Sequence, residues 1–457
     1  RSSAASDVYK RQKIYQGEIR DRIASFGVDV VDAGMVDNLV KAGEAAEYLK
    51  KQDVDIVFLY VATYALSSTV LPVARKLKVP VIILNLQPVA RLDYETFNKS
   101  GDSGRMTGIW LEHCQACSVP EIACVFNRTG IRYEIVTGYL KDEEAWKDIQ
   151  AWTEAAGAVR ALCNNRMGIL GHYYCGMLDV YTDITKQSAV FGTHFEMLEM
   201  CELKKYRDSV TFEEVEEKIR EFGEAFDIVP ECEPAEIERA ARTSIALDRI
   251  IKHHNLSSMA YYYEGEGGND YENMVTSVIA GNTLLTSNNI PVAGECEVKN
   301  AQAMKIMAEL GAGGSFSEFY LMDFEDDIVM LGHDGPAHFA IAQGRVKLVP
   351  LPVYHGKPGK GLSIQMSVKY GPVTLLSVVE GADGISLLVA EGESVPGPVL
   401  QIGNTNSRYR FSIGAKRFMN EWSKYGPAHH CAIGVGHIAG KIEKLAFLLN
   451  ISVNIVC

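Results

Sequence analysis

At about residue 312 the texture of the chain changes. Before that point, compact apolar runs alternate with stretches of helical periodicity; beyond it, short apolar runs follow one another closely with turn signals between them. A single architecture does not serve both patterns, so the expected fold is α/β layers followed by a β-rich, barrel-like C-terminal domain, whose strand pattern by itself suits a barrel or a sandwich. The run DVDIVFLYV (53–61) suits a strand buried on both faces of a parallel sheet. A helical stretch at 66–78 follows, with Leu71, Ala74 and Leu77 on one face, and VPVIILNL (79–86) supplies the next strand, completing a βαβ unit.

RYEIVTGY (132–139) reads as a further strand and 143–162 as a long helix. A second α/β series begins at RMGILG (166–171) and continues with strands at AVFG (189–192) and SMAYYY (258–263). Helices are expected near 212–226, 235–254, 300–310 and 415–425, and a helix–strand pair at the end of the chain. The β-rich part contains IVML, HFAIA, VKLVPLPV, SIQMSVKY, VTLLSVV and ISLLVA.

The start of the chain is anomalous. RSSAASDVYKRQ shows no helical or strand periodicity, and residues 2–12 resemble the in-frame translation of a sequencing-library adapter. The segment 13–34 reads as a helix and then a short strand at 28–31, which is an odd opening for a parallel sheet. The expectation is that a first strand is missing here. The predicted division is 1–12 as an artefact, 13–162 as an N-terminal α/β domain, 163–312 as a central α/β domain and 313–457 as the barrel-like domain.

Composition narrows the function. A net charge of −13 argues against nucleic-acid binding, which needs a basic surface. No run of 18 apolar residues exists, so no membrane partner is expected. The ten cysteines form no regular framework and suit a reducing cytoplasm. Their one close pair, Cys114 and Cys117 behind His113, lacks the second CxxC that would complete a zinc site and reads as ordinary thiols. No GxGxxG follows a strand, GEGG (265–268) does not continue into GK[ST], and GAGG (311–314) reads as a helix stop, so nucleotide chemistry is not indicated.

Side chains suited to chemistry gather in the second half. AGECEVKNA (293–301) sets Glu295 and Glu297 before a helix, GGSFSEFY (313–320) puts Glu318 in an apolar strand, MLGHDGPAH (330–338) carries His333, Asp334 and His338, and GPAHH (426–430) carries His429 and His430. Taken singly, a Glu before a helix complements the helix dipole and a His at a strand end faces solvent. A carboxylate in an apolar strand needs a partner, and Glu and His at element ends are what a divalent-metal site requires.

These four segments, in order and in approximate spacing, resemble those of the L-arabinose isomerase family within the L-arabinose/L-fucose isomerase superfamily. GHYYCGMLD (171–179) is similar to that family's glycine-methionine-aspartate turn. The resemblance covers nearly the whole chain and implies two Rossmann-like α/β domains before the barrel-like one. It implies that Glu295, Glu318, His333 and His430 hold one divalent cation, Mn²⁺ or another such as Co²⁺ or Mg²⁺. It also implies that Glu295 and Glu318 serve as acid and base in converting an aldose to a ketose through an enediol, in a cytoplasmic homo-oligomer, a hexamer by resemblance.

The chain departs from the family where Asp-Gly-Pro-Ala-His follows His333, which leaves His338 as an alternative ligand, and where Cys117, near His113, stands in register with a family histidine. Strand alternation lets only one of His429 and His430 face the pocket with Glu318. The resemblance implies that it is His430, leaving His429 behind it or at the surface, and Glu297 is expected in solvent. The other class of reading is a non-catalytic sugar-binding protein with two α/β lobes, which accounts for the first 300 residues but not for the β-rich part or the Glu/His set.

Overall fold

The computed structural model describes residues 3–265, 267–351, 353–354, 357–358 and 361–457. The chain divides into two compact units, the first running to Ala156 and the second from Gly157 to Cys457.

In the first unit, β1 (Val57–Tyr60), β2 (Val81–Gln87) and β3 (Tyr133–Tyr139) form a parallel sheet in the order β1-β2-β3. Its core joins Ile83 of β2 to Ile122 and Phe126 of the helix Gln115–Thr129. The N-terminal residues differ from expectation: Ser3–Ala24 is one helix, and residues 28–37 form no strand. The reason is tertiary. Val8 and Gln12 are buried, and Arg11 grips the buried Glu112 carboxylate at 2.8 and 2.9 Å while Tyr15 donates to the same group.

The second unit opens with β4 (Arg166–Gly171), β5 (His194–Leu198), the short β6 (Asp227–Ile228), β7 (Ser258–Tyr262) and β8 (Val292–Ala293). A parallel sheet runs in the order β5-β4-β7-β8. The residues AVFG, expected as a strand, end the helix Ile184–Phe191 instead. Gly192 caps it in the left-handed region at φ +74°, and the strand starts only at His194. A four-residue apolar run does not by itself distinguish the two states.

Next come β9 (Ser315–Asp323), β10 (Ile328–His333), β11 (Lys347–Pro350), β12 (Val353–Tyr354), β13 (Lys357–Pro358) and β14 (Leu362–Gln365). Then β15 (Gly371–Gly381), β16 (Gly384–Val395), β17 (Thr405–Phe411), β18 (His430–Val435) and β19 (Ser452–Ile455) complete the set. The antiparallel order β15-β18-β9-β10-β17-β16 returns to β15, so the sheet closes on itself, with β19 paired parallel to β16. This is the barrel expected after residue 312, and closure removes the free edges that an open sheet of such apolar strands would present. HFAIA is not one of its strands: Phe339–Ile341 is a 3₁₀ turn.

The central sheet and the barrel share the helix Val298–Glu309, buried from Val298 through Met307 and packed on β7 and β8 on one side and on β15 and β18 on the other. That explains its weak amphipathic pattern, since a helix covered all round has no solvent face. Its N-terminus lies just beyond the carboxyl end of β8, the end of a parallel sheet where ligands are bound.

Candidate functional site

Between β8 and this helix the backbone does something costly. Glu295 and Cys296 both occupy the left-handed region, at φ +54° and +58°, a conformation costing about 1–3 kcal/mol for each non-glycine residue. The kink is held by Cys296 N donating to Tyr261 O (2.9 Å) and Glu297 N donating to Gly294 O (2.9 Å). It turns Glu295 toward the barrel and leaves Glu297 at the helix start, where it is buried (1% exposed).

Three barrel strands supply the rest. Glu318 of β9 stands directly opposite His430 of β18, so the two side chains share a face, and β10 on the other side ends at His333. Phe316 lies against both imidazoles, with ring centroids 4.5 Å from His333 and 4.3 Å from His430. Glu295, His333 and His430 present ligand atoms all within 4.8 Å of one another, and so do Glu318, His429 and His430.

His430 is the most informative group. It is almost wholly buried, its Nδ1 lies 2.6 Å from Glu297 Oε2, and its Nε2 has no hydrogen-bond partner while lying 3.7 Å from Glu295 Oε2. A buried imidazole with one nitrogen bonded to a carboxyl and the other left over is the arrangement of a metal-ligating histidine. Carboxylates and imidazoles grouped in this way suit a divalent cation.

The carboxyl groups are driven apart. Burial alone would raise Glu295, but His429 and the neighbouring charges of His430 and His333 hold it below the ordinary carboxylate value. Glu318 is pushed up by burial, against the pull of His333 and His429. Burial also pushes Glu297 up to about 8 and takes His430 well below the usual histidine range. Burial opposes charge on His429 too, but the carboxylates of Glu295 and Asp179 outweigh it and lift the imidazole to about 9.

Two expectations are corrected here. Glu297 does not face solvent; it is held in the interior against His430. His429 does not point away: its Nδ1 lies 2.6 Å from Asp179 Oδ2 and its Nε2 lies 3.4 Å from Glu295 Oε2. It lies one residue before β18 begins, so strand alternation does not govern it. His338, the alternative ligand, accepts a hydrogen bond from Ala340 N through Nδ1 (3.1 Å) at the start of the 3₁₀ turn and is absent from both clusters. His113 and Cys117 lie in the first unit, His113 with its Nδ1 2.9 Å from Ile109 O and Cys117 exposed in the helix Gln115–Thr129. Asp179 meets His429 across 250 residues of chain, and nothing local in the turn that bears it points to that partner.

The His429 shift has a measurable consequence. Its folded value lies above the ordinary 6.5, so its contribution to stability is complete below that pH and is lost as pH rises through about 9. In metal-free protein the denaturant midpoint should therefore fall over that interval, and His429→Gln should flatten the fall. An unchanged slope in the variant would assign it elsewhere.

No protein-family model matches the chain. Among curated proteins, sulfoquinovose isomerase of Alkalicoccus urumqiensis is 23% identical over 301 residues, or 65% of this chain and 66% of that protein. L-arabinose isomerase of Klebsiella pneumoniae (strain 342) is 19% identical over 379 residues, covering 80% of this chain and 72% of its own length. L-arabinose isomerase of Geobacillus kaustophilus (strain HTA426) is 22% identical over 338 residues, 71% and 66% of the two chains. The chain thus spans about two thirds of the length of these relatives. These similarities agree with the resemblance carried by the site segments: at 19–23% identity, the chain is similar over most of its length to sulfoquinovose isomerase and to L-arabinose isomerases.

Proposed function

We propose that the protein is a divalent-cation-dependent aldose–ketose isomerase. The observation that carries this is His430 Nε2, buried and without a hydrogen-bond partner, facing the Glu295 carboxylate with Glu318 opposite on the neighbouring strand. Glu295, Glu318, His333 and His430 would hold the cation, with Mn²⁺, Co²⁺ and Mg²⁺ as the ions to test. A cation so held supplies Lewis-acid polarisation of the open-chain carbonyl.

Proton movement falls to the two carboxyl groups, whose environments separate them into a base and an acid. Glu295, held below the ordinary carboxylate value by its histidine neighbours, is assigned the proton from C2, and Glu318, pushed up by burial, the donation to O1. The enediol formed in this way receives the carried proton at C1 from Glu295 and returns the O2 proton to Glu318. The ketose is left, with both carboxyl groups restored and no nucleotide cofactor consumed.

The substrate on this reading is a small open-chain aldose, and the relatives' names direct the first trials to L-arabinose and sulfoquinovose. A homo-oligomer, a hexamer by the family resemblance, would supply pocket walls from neighbouring copies. Among the described residues no helix is long and apolar enough to cross a membrane. The ten unpaired cysteines support a cytoplasmic setting.

Ketose formation should be measured over a panel of pentoses, 6-deoxyhexoses, hexoses and sulfoquinovose, with Mn²⁺ and with EDTA. Turnover of at least one sugar is expected, lost on chelation and restored by added Mn²⁺. Turnover indifferent to chelation would overturn the metal-dependent reading. Sugar binding without turnover would favour the non-catalytic binder.

A further inference from the structure

The turn GHYYCGMLD (171–179) holds no residue of the two metal-capable clusters around His430, yet it is tied to their segments at several points. Gly171 ends β4 at φ +87°, and a Cβ there would lie 2.0 Å from Tyr262 O, so only glycine lets the chain turn this closely over β7. His172 N donates to Tyr262 O (3.0 Å), the Tyr174 ring stacks on Tyr262 at 4.6 Å, and Tyr174 N donates to Glu295 O (3.4 Å). At the far end Asp179 lies in the 3₁₀ turn Leu178–Val180, its carbonyl accepting from Lys299 Nζ.

The Asp179 carboxylate holds His429 twice. Oδ2 accepts from the backbone N of His429 at 3.0 Å and from ring Nδ1 at 2.6 Å. One contact places the main chain and the other fixes the ring's rotation. With Nδ1 committed, Nε2 is the nitrogen left to meet Glu295, 3.4 Å away. We propose that Asp179 is a positioning residue that acts through His429, orienting the imidazole and through it the Glu295 carboxylate. The catalytic part of this proposal rests on the isomerase reading.

A surface ion pair that merely staples the turn would contribute little to stability and nothing specific to turnover. A double-mutant cycle on the full chain separates the two. Asp179→Ala should lower kcat about 10–100-fold, the usual cost of removing a group that orients an active-site residue, with KM and bound-metal content nearly unchanged. Asp179→Asn, which keeps an acceptor, should lose less and guards against a folding defect in the alanine variant. In a His429→Gln background the further loss from Asp179→Ala should shrink to less than about 2-fold. Losses that multiply independently, or wild-type kcat in Asp179→Ala, would overturn the proposal.

The contact itself is read without turnover, from denaturant midpoints of the same four metal-free proteins, where non-additive shifts are expected. Coupling in unfolding without coupling in kcat reduces Asp179 to a structural staple. If wild type turns over no aldose, the isomerase reading fails and the positioning role falls with it. The midpoints then still report whether the clasp exists.

Discussion

Replacing Glu318 by glutamine is expected to lower kcat by about 10²–10⁴, the usual contribution of one general acid–base group, while the barrel stays folded. Glutamine matches the shape of glutamate and keeps an oxygen able to coordinate, but an amide carries no transferable proton. The position tolerates a neutral group, because burial already raises the Glu318 carboxyl toward its uncharged form. Its place in β9 is held by pairing on both sides, with His430 of β18 and Gly332 of β10 opposite. Metal content must be measured on the same sample, since loss of the cation would also abolish turnover. Wild-type kcat in a metal-loaded Glu318→Gln protein would leave Glu318 a ligand only and end the two-carboxylate mechanism.

Glu297→Leu should weaken cation affinity by about 10–100-fold, the range seen when the carboxylate behind a ligating histidine is removed. When His430 binds through Nε2 its proton sits on Nδ1 and is donated to Glu297 Oε2, 2.6 Å away. Leucine would leave that N–H buried and unpaired, at a cost of about 1–3 kcal/mol. Glu297→Gln keeps an acceptor and should lose less. Titration calorimetry with Mn²⁺ on chelator-stripped protein reads the effect. Equal affinities for wild type and Glu297→Leu would show that the contact does not support a ligand. The sequence alone points the other way, to a solvent-facing Glu297 whose replacement is silent. The difference is the left-handed pair at 295 and 296, which reverses the facing of the next residue.

Much of the architecture was legible. RMGILG, VPVIILNL and VTLLSVV are strands because apolar, β-branched runs of that length suit sheets covered on both faces. The helices Phe212–Ala225 and Pro234–His254 are marked by their periodicity, and the structure adds a capping box at Thr211 and Glu214 that fixes the start of the first. Local pattern failed at short or ambiguous runs: AVFG became a helix end, HFAIA a 3₁₀ turn, and the aperiodic N-terminal residues a helix. The N-terminal helix is held by Glu112, far away in sequence, whereas AVFG ends at the local cap of Gly192 and the 3₁₀ turn starts at the local cap of His338.

For the site, residue types alone pointed to a Glu/His metal site, since a carboxylate in an apolar strand needs a partner, and it was the family resemblance that singled out Glu295, Glu318, His333 and His430. The sequence by itself determined the α/β-then-barrel order, through the switch of apolar spacing near residue 312, and the chemical inventory of the site. Only the tertiary structure decided which of those groups meet. The kink at Glu295–Cys296 buries Glu297 behind His430, the β9–β18 register puts Glu318 opposite His430, and Asp179 crosses 250 residues of chain to hold His429. Spacing along a chain records what a residue can do. Register, backbone strain and burial, which depend on partners far away in sequence, settle which neighbour it does it with.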